Sequence, residues 1–172
     1  QRDGLWVVDP IDGTTNFING LPHFAISVAL MQQGRSTLGV IYNPQTNELF
    51  SASTGGGAML NQQPLPLKQA HNPMCDAIAG IDIKYPRSVK LIARINSVAP
   101  FGTLRSMGSS TLDWCFLAAG RYDIYLHGGQ RLWDYAAGAL ILEEAGGKIA
   151  TLQQEDFWSD TPWKRSVIAA LT

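Results

Sequence analysis

Leu5-Trp6-Val7-Val8-Asp9-Pro10-Ile11-Asp12-Gly13-Thr14-Thr15 is the stretch on which the reading of this chain turns. Its opening, Leu5 to Val8, reads as a short buried strand, apolar without alternation. Asp9-Pro10 is expected to end the strand, because proline has no amide proton for the ladder. Two carboxylates three residues apart then stand at the strand's end, with a glycine and two threonines behind them. Hard divalent cations such as Mg²⁺ take oxygen ligands, often a few carboxylates with water and phosphate. Asp9 and Asp12 can converge on one locus around a tight turn, and the Ile11 carbonyl can add an oxygen. Gly13 lets the backbone come close. The amides of Gly13, Thr14 and Thr15 open a helical turn over 14–19 and suit a phosphate. The Thr14 hydroxyl can orient a water. Asp9, Asp12 and Thr14 are thus the candidate catalytic residues. The plainer reading of an isolated Asp-x-x-Asp is a polar turn that caps its neighbours. The strand before it and Gly-Thr-Thr after it weigh against that.

Outward from this turn the rhythm is first that of strands. Phe24, Ile26, Val28 and Leu30 alternate with smaller or polar residues, as in a half-buried strand. Strands are expected again at 37–42, 48–52 and 58–60, separated by Gly34-Arg35, by Asn43-Pro44-Gln45-Thr46-Asn47 and by the triple glycine at 55–57. Residues 1–65 therefore read as an antiparallel meander. The polar, proline-containing run 61–75 is the best internal boundary, and 76–172 alternates strands with helices. Strands are expected at 77–81, 103–107, 122–126, 148–152 and 167–171. Helices are expected at 87–98, at 110–119 with Leu112, Cys115 and Phe116 on one face, and at 134–145, closed by Gly146-Gly147. The fold class is α/β, in layers.

The chain has 172 residues, 45% hydrophobic and 16% charged, with a net charge of −1. That is enough for a sizeable core. It gives no basic footprint for nucleic acid. Cys75 and Cys115 form neither a disulfide framework nor a metal spacing, which makes a reducing cytoplasm the expected setting. No apolar run reaches the ~18 residues of a membrane span, and no signal-peptide pattern is present. The chain opens on Gln1, and strand-like sequence begins by Leu5, so an upstream segment is expected.

Two further elements carry chemistry. In Leu132-Trp133-Asp134-Tyr135-Ala136-Ala137-Gly138, an aspartate at a helix start can reach into a site while small residues let the helix pack closely. The plainer reading is an N-cap, but a site built on two metals needs more carboxylates than Asp9 and Asp12. In Arg105-Ser106-Met107-Gly108-Ser109-Ser110, the amides that open a helix can face a ligand hydroxyl, although ordinary capping explains the serines equally well. His23, after Pro22, reads as structural. Trp114, Trp158 and Trp163 read as packing residues.

Together these elements resemble the inositol monophosphatase family. The match runs over Trp6-Val7-Val8-Asp9-Pro10-Ile11-Asp12-Gly13-Thr14-Thr15-Asn16-Phe17 and Trp133-Asp134-Tyr135-Ala136-Ala137-Gly138, with Glu144-Ala145-Gly146-Gly147 behind. The resemblance implies an αβαβα sandwich of the sugar phosphatase type, here without its N-terminal helices and hairpin. It implies a Mg²⁺-dependent, lithium-sensitive phosphomonoesterase with two or three ions, a small-molecule phosphate ester as substrate, a cytoplasmic location and a homodimer. It makes Asp9, Asp12, Asp134 and the Ile11 carbonyl metal ligands and Gly13, Thr14 and Thr15 phosphate binders. It places Gly108, Ser109 and Ser110 by the substrate hydroxyls. Upstream of the first motif the family carries a metal-binding glutamate and an aspartate behind the threonine, outside this chain. Seven residues before the second motif's aspartate, inositol-cleaving members carry a glutamate that meets the sugar ring. Here that position holds His127, which reads equally as a strand-end residue with no ligand and as a substrate-side candidate; Arg131 can then meet a second anionic group or be an ordinary surface charge. Inositol 1-phosphate is the default substrate. Fructose 1,6-bisphosphate and a regulatory binding role are the alternatives. A nucleotide 3'-phosphate fits less well, since Thr15 and Asn16 replace the charged pair of that branch.

Overall fold

The computed structural model describes residues 4–68, 73–82, 93, 97, 100–153, 156–159 and 163–171. Strands β1 (Leu5–Asp12), β2 (Ala25–Gln32), β3 (Arg35–Asn43), β4 (Glu48–Ser53), β5 (Gly57–Leu60) and β6 (Gln63–Pro64) form an antiparallel meander, neighbours in space as in sequence. A short helix, α1 (Thr14–Ile18), joins β1 to β2. The second sheet has the order β10-β11-β9-β7-β8. Its strands are β7 (Ile78–Asp82), β8 (Thr103–Arg105), β9 (Ile124–Arg131), β10 (Lys148–Ala150) and β11 (Lys164–Ala170). It is mixed: β7 runs parallel to β8 and β9, whereas β11 pairs antiparallel with β9 and β10. Between the sheets lie α2 (Ser110–Ala118) and α3 (Leu132–Glu144), packed on each other. Helix α3 crosses β1 to β5 and also touches β9 and β10. Sheet, helix pair and sheet are the central three layers of the expected sandwich. The helix expected over 87–98 lies outside the described residues, apart from Ala93 and Ser97, which are helical.

The layering explains where the elements depart from the patterns read along the chain. Strand β1 does not stop at Asp9-Pro10 but continues to Asp12. It is the edge of its sheet, so Pro10 can sit in it without breaking a ladder in the sheet's interior. The pairing with β2 shifts register between Asp9 and Asp12. Strand β2 is half-buried, but in the phase opposite to its larger side chains. Ala25, Ser27, Ala29 and Met31 are buried, while Ile26 is exposed and Val28 and Leu30 are intermediate. The buried face lies under α3, which approaches so closely that a Cβ on Gly39 would stand 2.8 Å from the Ala137 carbonyl oxygen. Where Ala29 pairs with Gly39, only small residues fit beneath it.

Helix α2 is likewise not one-sided. All its residues except Phe116 are buried, because it has a sheet on either hand. A Cβ on Gly138 would overlap the Trp114 ring, so the small run in α3 seats that indole. The core is continuous from Val7 and Phe50 through Trp114 and Tyr135 to Val167 and Leu171. Helix α3 starts at Leu132, two residues before Asp134, and β11 starts at Lys164, three before Val167. Cys75 is exposed and Cys115 buried, and neither is in a disulfide. Among the described residues no helix is long and apolar enough to cross a membrane.

Candidate metal and phosphate site

The end of β1, the turn after it and the first turn of α3 meet at one place. Each of Asp9, Asp12 and Asp134 offers a carboxylate oxygen, and these oxygens lie within 4.8 Å of one another. Asp9 and Asp12 come together because the chain passes from the irregular end of β1 into a tight turn. Asp9 Oδ1 accepts the Ile11 amide at 3.1 Å, which folds the carboxylate back over the turn. Asp134 arrives from 122 residues downstream as the third residue of α3's first turn, where its Oδ2 accepts the Arg131 amide at 2.8 Å.

Three carboxylates at this spacing repel one another, and burial adds to the cost of their charges. Burial first, then the Asp12 and Asp9 charges, pushes the Asp134 carboxyl up to about 6, against the stabilising Arg131 amide. Asp9 is raised as well, by burial and then by Asp12, against the Ile11 amide. The donor set is all oxygen, anionic and partly buried. It fits a hard divalent cation, which would remove the repulsion, and offers nothing to a soft metal.

Asp12 is held from behind. Its Oδ2 accepts from the Ser109 hydroxyl at 2.6 Å and from the Thr111 amide and hydroxyl, each at 2.7 Å. Ser109 and Thr111 are fully buried, so these bonds form away from solvent. With Oδ2 engaged three times, Oδ1 is the oxygen left for a cation. Ser109 was expected to cap a helix and face a ligand. It is the N-cap of α2 but makes no side-chain cap bond, because its hydroxyl goes to Asp12 instead. The Ser110 hydroxyl turns inward to Tyr125. Thr111 was not singled out in the sequence. Nothing local marks a threonine in the first turn of a helix as the support of an aspartate 99 residues away.

The turn after β1 is built on Gly13. Its φ is +85°, and a Cβ there would stand 2.9 Å from the His23 carbonyl oxygen, so both the backbone and the space demand glycine. Gly13 O accepts the Phe17 amide at 3.0 Å, closing α1. The earlier first-turn amides, those of Thr14 and Thr15, have no partner inside the helix, and both residues are exposed. The Thr14 hydroxyl donates to Ile11 O at 2.9 Å, so that carbonyl is shared between Thr14 and whatever else approaches it. Asn16 ties the site together: its Nδ2 donates to His23 O at 2.7 Å and to Met107 O at 2.8 Å. Gly108 has φ +81°, and a Cβ there would stand 3.2 Å from Asn16 Nδ2, so the 105–110 segment lies close against the turn after β1. Asn16 lies inside the quoted motif, but its role depends on a contact 91 residues away. The His23 ring packs edge-on against Phe116 at 5.7 Å. Burial lowers its pKa against the pull of Asp12, in keeping with a structural residue.

His127 is buried, 5% exposed, with both ring nitrogens in contact with the chain: Nε2 with Asp82 Oδ2 at 3.2 Å and Nδ1 with the Gly129 amide at 2.9 Å. The substrate-side role expected from its position finds no ring nitrogen facing open space. Arg131 is exposed, with its guanidinium 5.9 Å over the Trp133 ring. Trp114 and Trp158 are buried as expected, the former donating to Gln130 Oε1 at 2.9 Å. Trp163 is 66% exposed and lies edge-on to Trp133.

The comparisons with known proteins agree with this fold. The model of the inositol monophosphatase family matches residues 1–172. The chain is 43% identical over 152 residues to Nus factor SuhB of Pasteurella multocida, covering 87% of this chain and 57% of that protein. It is 42% identical over 146 residues to the inositol-1-monophosphatase of Rhizobium meliloti, covering 83% and 54%. Among solved structures, the native extragenic suppressor protein suhB of Bartonella henselae superposes with a TM-score of 0.87 at 35% identity, over 98% of this chain and 66% of that one. The Thermotoga maritima IMPase gives 0.86 at 31%, over 99% and 65%. The chain thus spans between half and two thirds of the length of these relatives. With the family model matched over residues 1–172 and the layered fold shared with these structures, the chain belongs to the inositol monophosphatase family.

Proposed function

We propose that the protein is a Mg²⁺-dependent phosphomonoesterase for a small polyol or sugar phosphate, with inositol 1-phosphate as the first substrate to test. The observation that carries this reading is the convergence of Asp9, Asp12 and Asp134 within 4.8 Å beside the first-turn amides of α1. A relative at 42% identity is named for the same activity.

Each group has a task in this reading. Asp9, Asp12 and Asp134 hold the cation, with the Ile11 carbonyl beside them. When bound, Mg²⁺ supplies charge neutralisation to the phosphoryl group and acidity to a water. Gly13, Thr14 and Thr15 present amides to the phosphate oxygens. The Thr14 hydroxyl has its proton committed to Ile11 O, so its lone pairs are left to accept from a water and aim it. Ser109 and Thr111 keep the Asp12 carboxylate from turning. Gly108, Ser109 and Ser110 meet the alcohol portion of the ester through backbone rather than hydroxyl groups, since both serine hydroxyls point elsewhere.

The test is phosphate release across inositol, sugar and nucleotide monophosphates, with and without Mg²⁺, in wild type and Asp12→Asn. Mg²⁺-dependent release from a polyol or sugar ester, lost in the variant, is expected. Unchanged turnover in Asp12→Asn would overturn the reading. A second role is favoured by the relatives named Nus factor SuhB: binding within a transcription complex. Asp12→Asn separates the two, because a binding role survives the loss of the carboxylate. A homodimer is the working oligomeric state, which sedimentation analysis checks.

A further inference from the structure

We propose that His127 is a positioning residue. It clamps a β-bulge in β9 and thereby sets the reach of the Arg131 amide to Asp134. This rests on the reading of Asp134 as a cation ligand.

The bulge is visible in the pairing of β9 with β11. Val167 pairs with His127 and Arg165 with Gln130, so Gly128 and Gly129 stand opposite the single residue Ser166. Two residues against one is a bulge, and a bulge leaves an amide without a ladder partner and re-aims the strand beyond it. The burial pattern shows the re-aiming: Tyr125 and His127 are buried in alternation, then Gly129 and Gln130 are buried in succession. The displaced amide is satisfied by His127, whose Nδ1 accepts from Gly129 N–H at 2.9 Å.

That bond also fixes the ring. A backbone amide can only donate, so Nδ1 carries no proton; Nε2 carries it and donates to Asp82 Oδ2 at 3.2 Å. Asp82 is the direct neighbour of His127 across the parallel β7–β9 pair, at the end of β7. The side chains of both are more than nine-tenths buried. The imidazole is therefore braced by β7 on one side and grips the bulge on the other. Two residues past Gly129, Arg131 becomes the N-cap of α3 and donates its amide to Asp134 Oδ2 at 2.8 Å. Without the extra residue, β9 would shift by one position, and the other face of the strand would meet α3.

The two ring contacts can be separated. In His127→Asn the side-chain oxygen falls near the place of Nδ1 and can still accept from Gly129. In His127→Gln the amide nitrogen falls near the place of Nε2 and can still donate to Asp82, but the bulge loses its acceptor. Hydrogen exchange of the Gly129 amide reads the clamp without any metal: protection is expected in wild type and Asn, and loss of it in Gln. Calorimetric titration with Mg²⁺ alone reads the consequence. Asn is expected to stay within about twofold of wild type and Gln to weaken about tenfold, the usual scale for a residue behind a ligand. The KM for a phosphate ester at saturating Mg²⁺ should not move in either. Imidazole ¹⁵N shifts should place the proton on Nε2.

A proton on Nδ1, or a protected Gly129 amide in Gln, would overturn the clamp. So would a shifted KM at unchanged Mg²⁺ affinity, which is the mark of a direct substrate contact. If wild type binds no Mg²⁺, the metal reading fails with its link to Asp134, and Gly129 protection alone then decides the clamp.

Discussion

Thr111 grips Asp12 twice, with its amide and its hydroxyl each 2.7 Å from Oδ2. The two residues are 99 positions apart, and the contact joins the end of β1 to the start of α2. Removing the hydroxyl with Thr111→Val leaves the amide bond and the volume. The expected result is an intact fold and a Mg²⁺ affinity about tenfold weaker. Thr111→Ser should restore it. Calorimetry on the three proteins checks this, and an unchanged affinity in Val would show that the hydroxyl does not position Asp12.

The second prediction concerns pH. Asp134 titrates at about 6 in the folded protein, above its ordinary value of 3.8. Between those values the folded state binds more protons than the unfolded one. The contribution of this group to stability is therefore fully present below about 3.8 and is lost as pH rises through about 6. Metal-free protein should gain stability from this site on going from pH 7.5 to 5.5. Mg²⁺ should add most stability above pH 6, where it no longer competes with the proton. Thermal melts in EDTA and in Mg²⁺ at the two pH values measure both. A Mg²⁺ increment that is larger at pH 5.5 would contradict the assignment.

Gly13→Ala should harm both fold and site. The new Cβ meets the left-handed backbone, at about 1–2 kcal/mol, and the His23 carbonyl oxygen at 2.9 Å. Urea unfolding should show a loss of at least that size. Inorganic phosphate, titrated in Mg²⁺, should bind more weakly, since the turn must open.

One helical turn beyond Asp134, Gly138→Ala places a methyl on the Trp114 ring. The helices must separate, at about 1–3 kcal/mol. Unfolding midpoints measure the cost. A variant as stable as wild type would mean that α2 and α3 can move apart freely.

Much of this molecule is legible along the chain, for a local reason. The meander shows itself in period-two apolar alternation and in turn residues, and the Asp9-to-Thr15 turn in the types and order of its side chains. The helix stop at Gly146, with φ +88°, is likewise a backbone preference carried by one residue. The phase of β2 was not legible. Most of its larger side chains favour one face, but the close approach of α3 at Gly39 leaves room only for a small residue at Ala29, its partner across the pair, which sets the phase of the strand. Pro10 misleads in the same way, since proline is tolerated or not according to whether its strand lies at an edge.

By itself, then, the sequence determined the class of fold, the order of most elements and the set of polar groups carried by the Asp9–Asp12 turn. These follow from backbone preferences and side-chain types within a few residues. The tertiary structure decided which distant groups complete the site. It set Asp134 against Asp9 and Asp12, gave the Ser109 hydroxyl to a carboxylate instead of a helix end, and turned His127 inward to a strand bulge. A hydrogen bond needs its donor and acceptor within about 3.2 Å of each other. Which donor comes within that distance of which acceptor is settled by how the two sheets close over α2 and α3.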